Sequence, residues 1–305
     1  MRPVLTNTLP AGQQPVCGVT VLFVQVFVVR YETPEVEVYD SNTLNLTSRL
    51  PVDGFVDPME LTSCSKFRCL YISDRAGEEI HRVELDGATI RWKVNDDPTG
   101  LSVTPDKDFS ILVTFCDARK LKEFTTNGTL VREIIIQENL INPWHAIQFD
   151  GQFIVSHGLS FDPLHCVCIL NSTGHVRRCD SGPPGSAPGQ LNLPLHLAVD
   201  WEGNVLVADF NNERVLLLNK TLDYVGELVS THNSGWSFRD CVWTTVDVGC
   251  LWLTSVRRTC WYLRYEMDKC IYLPRSIVNP AQLYIYIYIY IYIYIYIYIY
   301  VYIAI

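Results

Sequence analysis

A β-propeller, an all-β ring of four-stranded blades, is the fold this sequence predicts, on three observations. Pro58, Pro98, Pro143 and Pro194 each precede a short apolar stretch, at spacings of 40, 45 and 51 residues. Each repeat then continues through further β-rich runs separated by polar turns. Helical periodicity is sustained nowhere. Four short strands every ~40–50 residues mark blades that bury their faces only against one another.

The elements follow in order. After each proline run comes a second strand: 70–74, 111–114, 153–156 and 205–209. A third follows a short loop, at 80–83, 121–124, 167–170 and 215–218, and a turn such as Asn127-Gly128-Thr129 leads into a fourth, 130–136. Upstream, 21–30, 36–40 and 46–51 read as the second, third and fourth strands of a blade without its first, a place that the other terminus fills in closed rings. Residues 1–20 read as an irregular segment, and 21–235 as the blades. Residues 236–283 read as a disrupted blade, because Cys, Trp, Arg and Thr replace the repeating pattern. With free third codon positions, one restored base after Phe238 turns 239–254 into PGLRLDDRGRGLSLAD, an ordinary blade opening. About five blades of six are therefore recognisable, with the last disrupted and the ring expected to stay open. Residues 284–305 alternate Tyr and Ile and hold ten of the seventeen tyrosines. A TA repeat encodes Tyr-Ile in every frame, so this tail reads as a translated low-complexity repeat, β-prone and uncharged.

One stretch is specific. Gly182-Pro-Pro-Gly185, Gly189-Gln190-Leu191 and Pro194, then Ala198-Val199-Asp200, Gly203-Asn204, Val207-Ala208-Asp209, Asn212 and Arg214-Val215 closely resemble an NHL repeat. The other blades match through the proline and strand pattern. The resemblance implies an NHL-type propeller acting as a binding platform for proteins. Some NHL propellers of tripartite-motif proteins bind RNA through a basic face, but nothing upstream resembles a RING, a B-box or a coiled coil. Asp209 and Arg214 flank the loop between second and third strands, where a charge pair ties it. The pair decays elsewhere: Asp74 faces Glu79, Phe115 faces Lys120, and His157 aligns near Cys166.

Charge narrows the partners. With 24 Lys and Arg against 33 Asp and Glu, the formal charge is −9, which disfavours a nucleic-acid surface. No stretch before the tail reaches the roughly 20 apolar residues of a spanning helix. A protein partner is expected, with a monomeric ring. Four Asn-X-Thr sequons, at Asn45, Asn127, Asn171 and Asn219, fall at turns between third and fourth strands, where Asn, Gly and Thr also serve turn chemistry. Residues 16–29 are apolar enough for a secretion signal, but only Arg2 precedes them as a basic start and no small-residue cleavage site follows, which favours the cytoplasm. Seven cysteines lie before residue 236. Cys64 and Cys69 bracket a hairpin and are candidates for a disulfide, whereas Cys166 and Cys168 share a strand face about 6–7 Å apart, awkward for a bond.

Two functions stay open. The first is a non-catalytic platform that binds protein through loops at one end of the ring, with Asp74, Asp209, Phe210, Asn212 and Arg214 as binding candidates and no cofactor. The second uses the position two residues after each blade proline, which lines the channel and offers Glu60, Gly100, His145 and His196. Two imidazoles and a carboxylate suit a divalent metal such as calcium or zinc, as in a hydrolase or lyase. No activated serine or cysteine nucleophile is identifiable.

Overall fold

The computed structural model describes residues 4–8, 14–104, 109–136, 140, 142–159, 162–200, 202–230, 238–244, 250–255 and 260–264. The chain divides into two units, Met1–Glu266 and Met267–Ile305, and the second, with the Tyr-Ile tail, lies outside the described residues.

The strands are β1 (Val4–Thr8), β2 (Val16–Leu22), β3 (Gln25–Arg30), β4 (Glu35–Asp40), β5 (Leu46–Pro51), β6 (Pro58–Cys64), β7 (Cys69–Asp74) and β8 (Glu79–Glu84). They continue as β9 (Thr89–Lys93), β10 (Gly100–Val103), β11 (Ile111–Phe115), β12 (Lys120–Phe124), β13 (Leu130–Ile135), β14 (Pro143–Phe149), β15 (Gln152–His157) and β16 (His165–Leu170). The last are β17 (Val176–Gly182), β18 (Pro194–Val199), β19 (Val205–Asp209), β20 (Arg214–Leu218), β21 (Tyr224–Ser230), β22 (Phe238–Thr244), β23 (Cys250–Ser255) and β24 (Cys260–Arg264). Among the described residues they form six four-stranded antiparallel sheets. Five run in sequence order from β2–β5 to β18–β21, and the sixth is β22, β23 and β24 with β1 added at its edge. First strands of successive sheets contact one another, β22 meeting both β18 and β2, so the six sheets close a ring. The protein is a β-propeller.

The closure differs from the sequence expectation in two places. The first blade has its own inner strand, β2, and the segment expected to be irregular contributes β1 and β2. The hairpin joining β2 to β3 turns on Phe23-Val24, with Phe23 at φ 57°, and contains no Gly, Asn or Pro to mark it. Its apolar turn therefore merged two strands into one apolar run. The terminal strand instead closes the sixth sheet, where Val4, Leu5, Asn7 and Thr8 pair with Arg264, Leu263, Tyr262 and Trp261. Residues expected to be disrupted thus supply three strands of a complete sheet.

The core is a set of slabs between neighbouring sheets. One unites Phe27, Val29, Val36 and Val38 with Leu61, Leu70 and Ile72. The next unites Tyr71 and Ile80 with Leu101, Ile111 and Phe115. Alternate residues of β7 face opposite slabs, which is why all six of its residues are buried and why it shows no polar face. Fourth strands have one neighbour fewer and stay largely exposed, as at β5, β9 and β13.

Cys64 and Cys69 sit opposite each other across their hairpin, as expected, but remain buried thiols. The disulfide lies elsewhere: Cys168 bonds Cys179, its cross-strand partner between β16 and β17. The same-face neighbours Cys166 and Cys168 are not bonded, and their sulfurs lie 3.6 Å apart.

Removing residues 1–8 tests the closure. It deletes four residue pairs from β24, on the order of 4 kcal/mol at ~1 kcal/mol per backbone hydrogen bond, and is expected to lower Tm by about 10 °C. The bared β24 edge should also promote self-association, visible in sedimentation. An unchanged Tm and a monomeric species would show that β1 does not close the ring.

Candidate functional site

The first-to-second strand ladder slips in register between Pro58 and Glu60, between Pro143 and Ala146, and between Pro194 and Leu197. A bulge re-aims the side chains it contains. Here it turns Glu60, His145 and His196 toward one point at the mouth of the channel. β10 has no such slip, and its Gly100 supplies no side chain. A Cβ on Gly100 would lie 2.4 Å from the Trp144 carbonyl oxygen, so glycine is what lets β10 and β14 approach.

Glu60, His145 and His196 are brought together and are buried. Glu60 Oε1 lies 2.7 Å from His196 Nε2 and 3.7 Å from His145 Nε2. The two imidazoles stack with centroids 3.9 Å apart and planes 27° apart. The Leu197 backbone N–H donates to His145 Nδ1 at 3.2 Å, and His145 Nε2 lies 3.4 Å from the Leu101 carbonyl. Ser156 Oγ accepts from the His145 N–H and donates to the Leu195 carbonyl. Burial, helped by His196 and opposed by Glu60, pushes the His145 pKa down to about 3. His145 is therefore neutral, with its proton on Nε2, because Nδ1 is occupied as an acceptor. Beside the pair runs a cavity of about 160 Å³, lined by His145 and His196 with Thr20, Thr62 and Ser102 among apolar neighbours.

Each of the three residues offers one ligand atom, and these atoms lie within 4.8 Å of one another, so the set could hold a divalent ion after two adjustments. To ligate through Nε2, a neutral His145 would have to move its proton to Nδ1, where it would face the Leu197 N–H, donor against donor. The Glu60–His196 separation of 2.7 Å is a hydrogen bond, shorter than the spacing of two atoms each about 2.0–2.2 Å from one zinc ion in a tetrahedron. The arrangement can hold, relay or exchange a proton between Glu60 and His196, and can bind a small polar group in the cavity.

The binding candidates take other positions. Asp209 is fully buried: it accepts from the Asn192 N–H at 2.6 Å, from Asn212 Nδ2 at 2.8 Å and from Arg214 Nε at 2.8 Å. Arg214 also donates to the carbonyls of Ser186 and Gln190. The expected Asp209–Arg214 tie is present, and it anchors the loop that enters the blade. Asp74 does the same in the second blade, three blades away around the ring. Burial pushes its carboxyl up, but the His81 imidazole 3.6 Å away and hydrogen bonds from the N–H groups of Asp57, Val56 and Gly77 outweigh this and hold the pKa down at about 2. Asp74, Asp209, Asn212 and Arg214 thus spend their polar atoms inside the chain. Phe210 is half-buried at the start of the 3-10 turn Phe210–Asn212.

Sequence reading missed three ties. Arg30 Nε meets Glu37 Oε2 at 2.7 Å, and the Tyr39 hydroxyl donates to the same oxygen. His81 lies 3.6 Å from Asp74 and 3.7 Å from Glu79, bringing an imidazole to Asp74 although Glu79 holds the register position of the arginine. His165 Nδ1 accepts from the Leu193 N–H. The first was readable as Arg and Glu at the facing ends of two adjacent strands. The others depend on register.

The tautomer of His145 has a measurable consequence. Its folded pKa near 3 lies below the unfolded value of about 6.5. The unfolded chain then binds the extra proton as pH falls, so this site's contribution is intact above pH 6.5 and erodes below it, by up to ~1.4 kcal/mol per pH unit. Denaturation of H145Q between pH 6.5 and 4.5 is expected to show a slope smaller by one proton than the parent. Equal slopes would place a proton on His145 in the folded state.

No protein-family model matches this chain, and no curated protein matches it. Solved structures do. Selenomethionine-substituted virginiamycin B lyase from Staphylococcus aureus is 12% identical over 85% of this chain and 99% of its own, with a TM-score of 0.62. Hydrazine synthase of Kuenenia stuttgartiensis is 13% identical over 85% and 98%, with a TM-score of 0.62. The WD40 β-propeller domain of Doa1 is 14% identical over 86% and 97%, with a TM-score of 0.59. At these identities the likeness is one of fold, and the fold they share with this chain is the β-propeller.

Proposed function

We propose that this propeller is a non-catalytic platform, of the NHL type its sequence resembles, that binds a protein through the loops at the proline end of its ring. The observation that carries this reading is the exposure of Tyr31, Val56 and Leu164, at 40%, 58% and 44%, on connections whose neighbouring polar residues are committed inside the fold. Glu32 and Asp57 stand close enough to Tyr31 to raise its phenol pKa. Exposed Glu78 and Asp117 add to the acidic side of the same end. The partner chemistry that suits this is a segment offering apolar anchors flanked by lysine or arginine.

A second reading is a lyase or hydrolase working in the channel. It is favoured by the Glu60–His196 pair beside a cavity. A catalytically inactive histidine-to-alanine variant of virginiamycin B lyase, solved with quinupristin, is 11% identical to this chain with a TM-score of 0.61. On this reading Glu60 and His196 act as a proton-transfer pair, and calcium or zinc enters only if His145 gives up its bond to Leu197.

One experiment separates the two. A partner captured from cell extract on the parent chain is titrated against V56R, L164R and H196A. The platform reading expects at least tenfold weaker binding by V56R or L164R, about 1.4 kcal/mol, and binding by H196A unchanged. Loss with H196A alone, or no partner retained by the parent, would overturn it in favour of the channel.

A further inference from the structure

We propose that this propeller is N-glycosylated along one rim, at the turns joining third to fourth strands, in an oxidising secretory compartment. The inference stands apart from the platform reading. Asn45-Leu46-Thr47 straddles the start of β5, Asn127-Gly128-Thr129 lies between β12 and β13, Asn171-Ser172-Thr173 between β16 and β17, and Asn219-Lys220-Thr221 between β20 and β21. None has proline in the middle position, as the acceptor sequence requires. In an antiparallel blade these turns all fall at the end opposite the second-to-third strand loops. Four sequons therefore share one rim, away from Tyr31, Val56 and Leu164. Asn45 and Asn127 are exposed, Asn171 and Asn219 half-buried, and all four threonines exposed.

Turn chemistry accounts for only half of this pattern. Asn171 Oδ1 accepts from the Thr173 N–H, the Thr173 hydroxyl and the His175 N–H, at 3.0, 2.8 and 2.9 Å. Asn219 Oδ1 repeats this with Thr221 and Asp223. There the Asn-X-Thr spacing serves the turn itself. At the other two it does not. In the first blade Asp40 Oδ1 holds the turn, through the N–H groups of Asn42 and Thr43, while the Thr47 hydroxyl donates to the Val38 carbonyl. In the third blade the Thr125 hydroxyl accepts from the Thr129 N–H, and Asn127 Oδ1 accepts from Arg82 of the neighbouring blade. Neither turn needs a threonine two residues after an asparagine, yet each has one on the same rim.

The Cys168–Cys179 disulfide is an independent observation. Such bonds form and persist in oxidising compartments and are rare in the cytosol. It supports a different compartment from the one the amino-terminal sequence favours. In the transfer, the asparagine Nδ2 bonds to C1 of an oligosaccharide carried on a polyprenyl diphosphate. The C1–O bond to the diphosphate breaks, the diphosphate leaves, and the Nδ2 proton passes to a base of the transferase.

The native protein, purified from its own cells, is compared by intact mass before and after peptide:N-glycosidase, with Cys168 and Cys179 tested by alkylation without reductant. A mass loss on treatment, with both cysteines protected, is the expected result. Secretory expression of T47A and T129A should each remove one glycan, and T47S and T129S should keep it. An unshifted native mass, or alkylated Cys168 and Cys179, would overturn the inference and leave the partner titration unaffected.

Discussion

Everything in this molecule depends on each blade burying both of its faces against two neighbours. A four-stranded sheet with apolar residues on both sides has no stable state alone. The strands of the middle blades are accordingly apolar throughout: in β7, Leu70 and Ile72 belong to one slab and Tyr71 to the next. The same requirement places the chain's ends. A ring with five sheets in sequence order would leave the outer face of the first one, with Val16, Val19, Val26 and Val28, without a slab. The sixth sheet covers it, with β22 packed against both β2 and β18.

Polar ties on the loops repeat a task with changing chemistry. In the fifth blade Asp209 and Arg214 pair at 2.8 Å. In the second, Asp74 keeps the carboxylate and three backbone N–H groups, but its cross-strand neighbour is Glu79 and the imidazole of His81 stands in for the arginine. In the first, the pair is Arg30 and Glu37, with the cation now on the second strand. In the third, Lys122 reaches Asp96 at 2.5 Å and the Val94 carbonyl at 2.7 Å. A buried charge that loses its partner costs several kcal/mol, so these four blades retain a pair even where the repeat has diverged, whereas in the fourth His157 stands opposite Cys166. This is why the fifth blade keeps the aspartate–arginine pair while the first three keep only a substitute for it.

That outline was legible because the prolines and β-runs recur with the blade period, and the position two after each proline was enough to pick Glu60, His145 and His196 from the whole chain. The closure was not. It rests on the Phe23-Val24 turn, which has no turn residue to announce it, and on pairing between residues more than 250 positions apart, Val4 with Arg264. The disulfide was hidden for a similar reason. Cys168 and Cys179 are 11 residues apart in sequence and become neighbours only through the β16–β17 register, which slips between Ile169 and Leu170. The roles of Asp74 and Asp209 were legible as charge patterns but not as burial, since the pattern cannot say that the partners are backbone N–H groups.

The channel cluster draws on three different blades, and the blade it skips explains how it forms. Glu60 comes from β6, His145 from β14 and His196 from β18. Between the first two stands β10, where a side chain at residue 100 would collide with Trp144 and separate the strands. With glycine there, His145 comes within 3.4 Å of the Leu101 carbonyl and 3.7 Å of Glu60. A buried carboxylate in such a place needs a hydrogen-bonded partner, and His196 provides it at 2.7 Å. His145, stacked on His196 with centroids 3.9 Å apart, stays neutral chiefly because it is buried. The Leu197 N–H fixes its tautomer in support of that. The cluster therefore joins non-adjacent blades across the channel through one hydrogen-bonded carboxylate, with His145 held beside it by the Leu197 N–H.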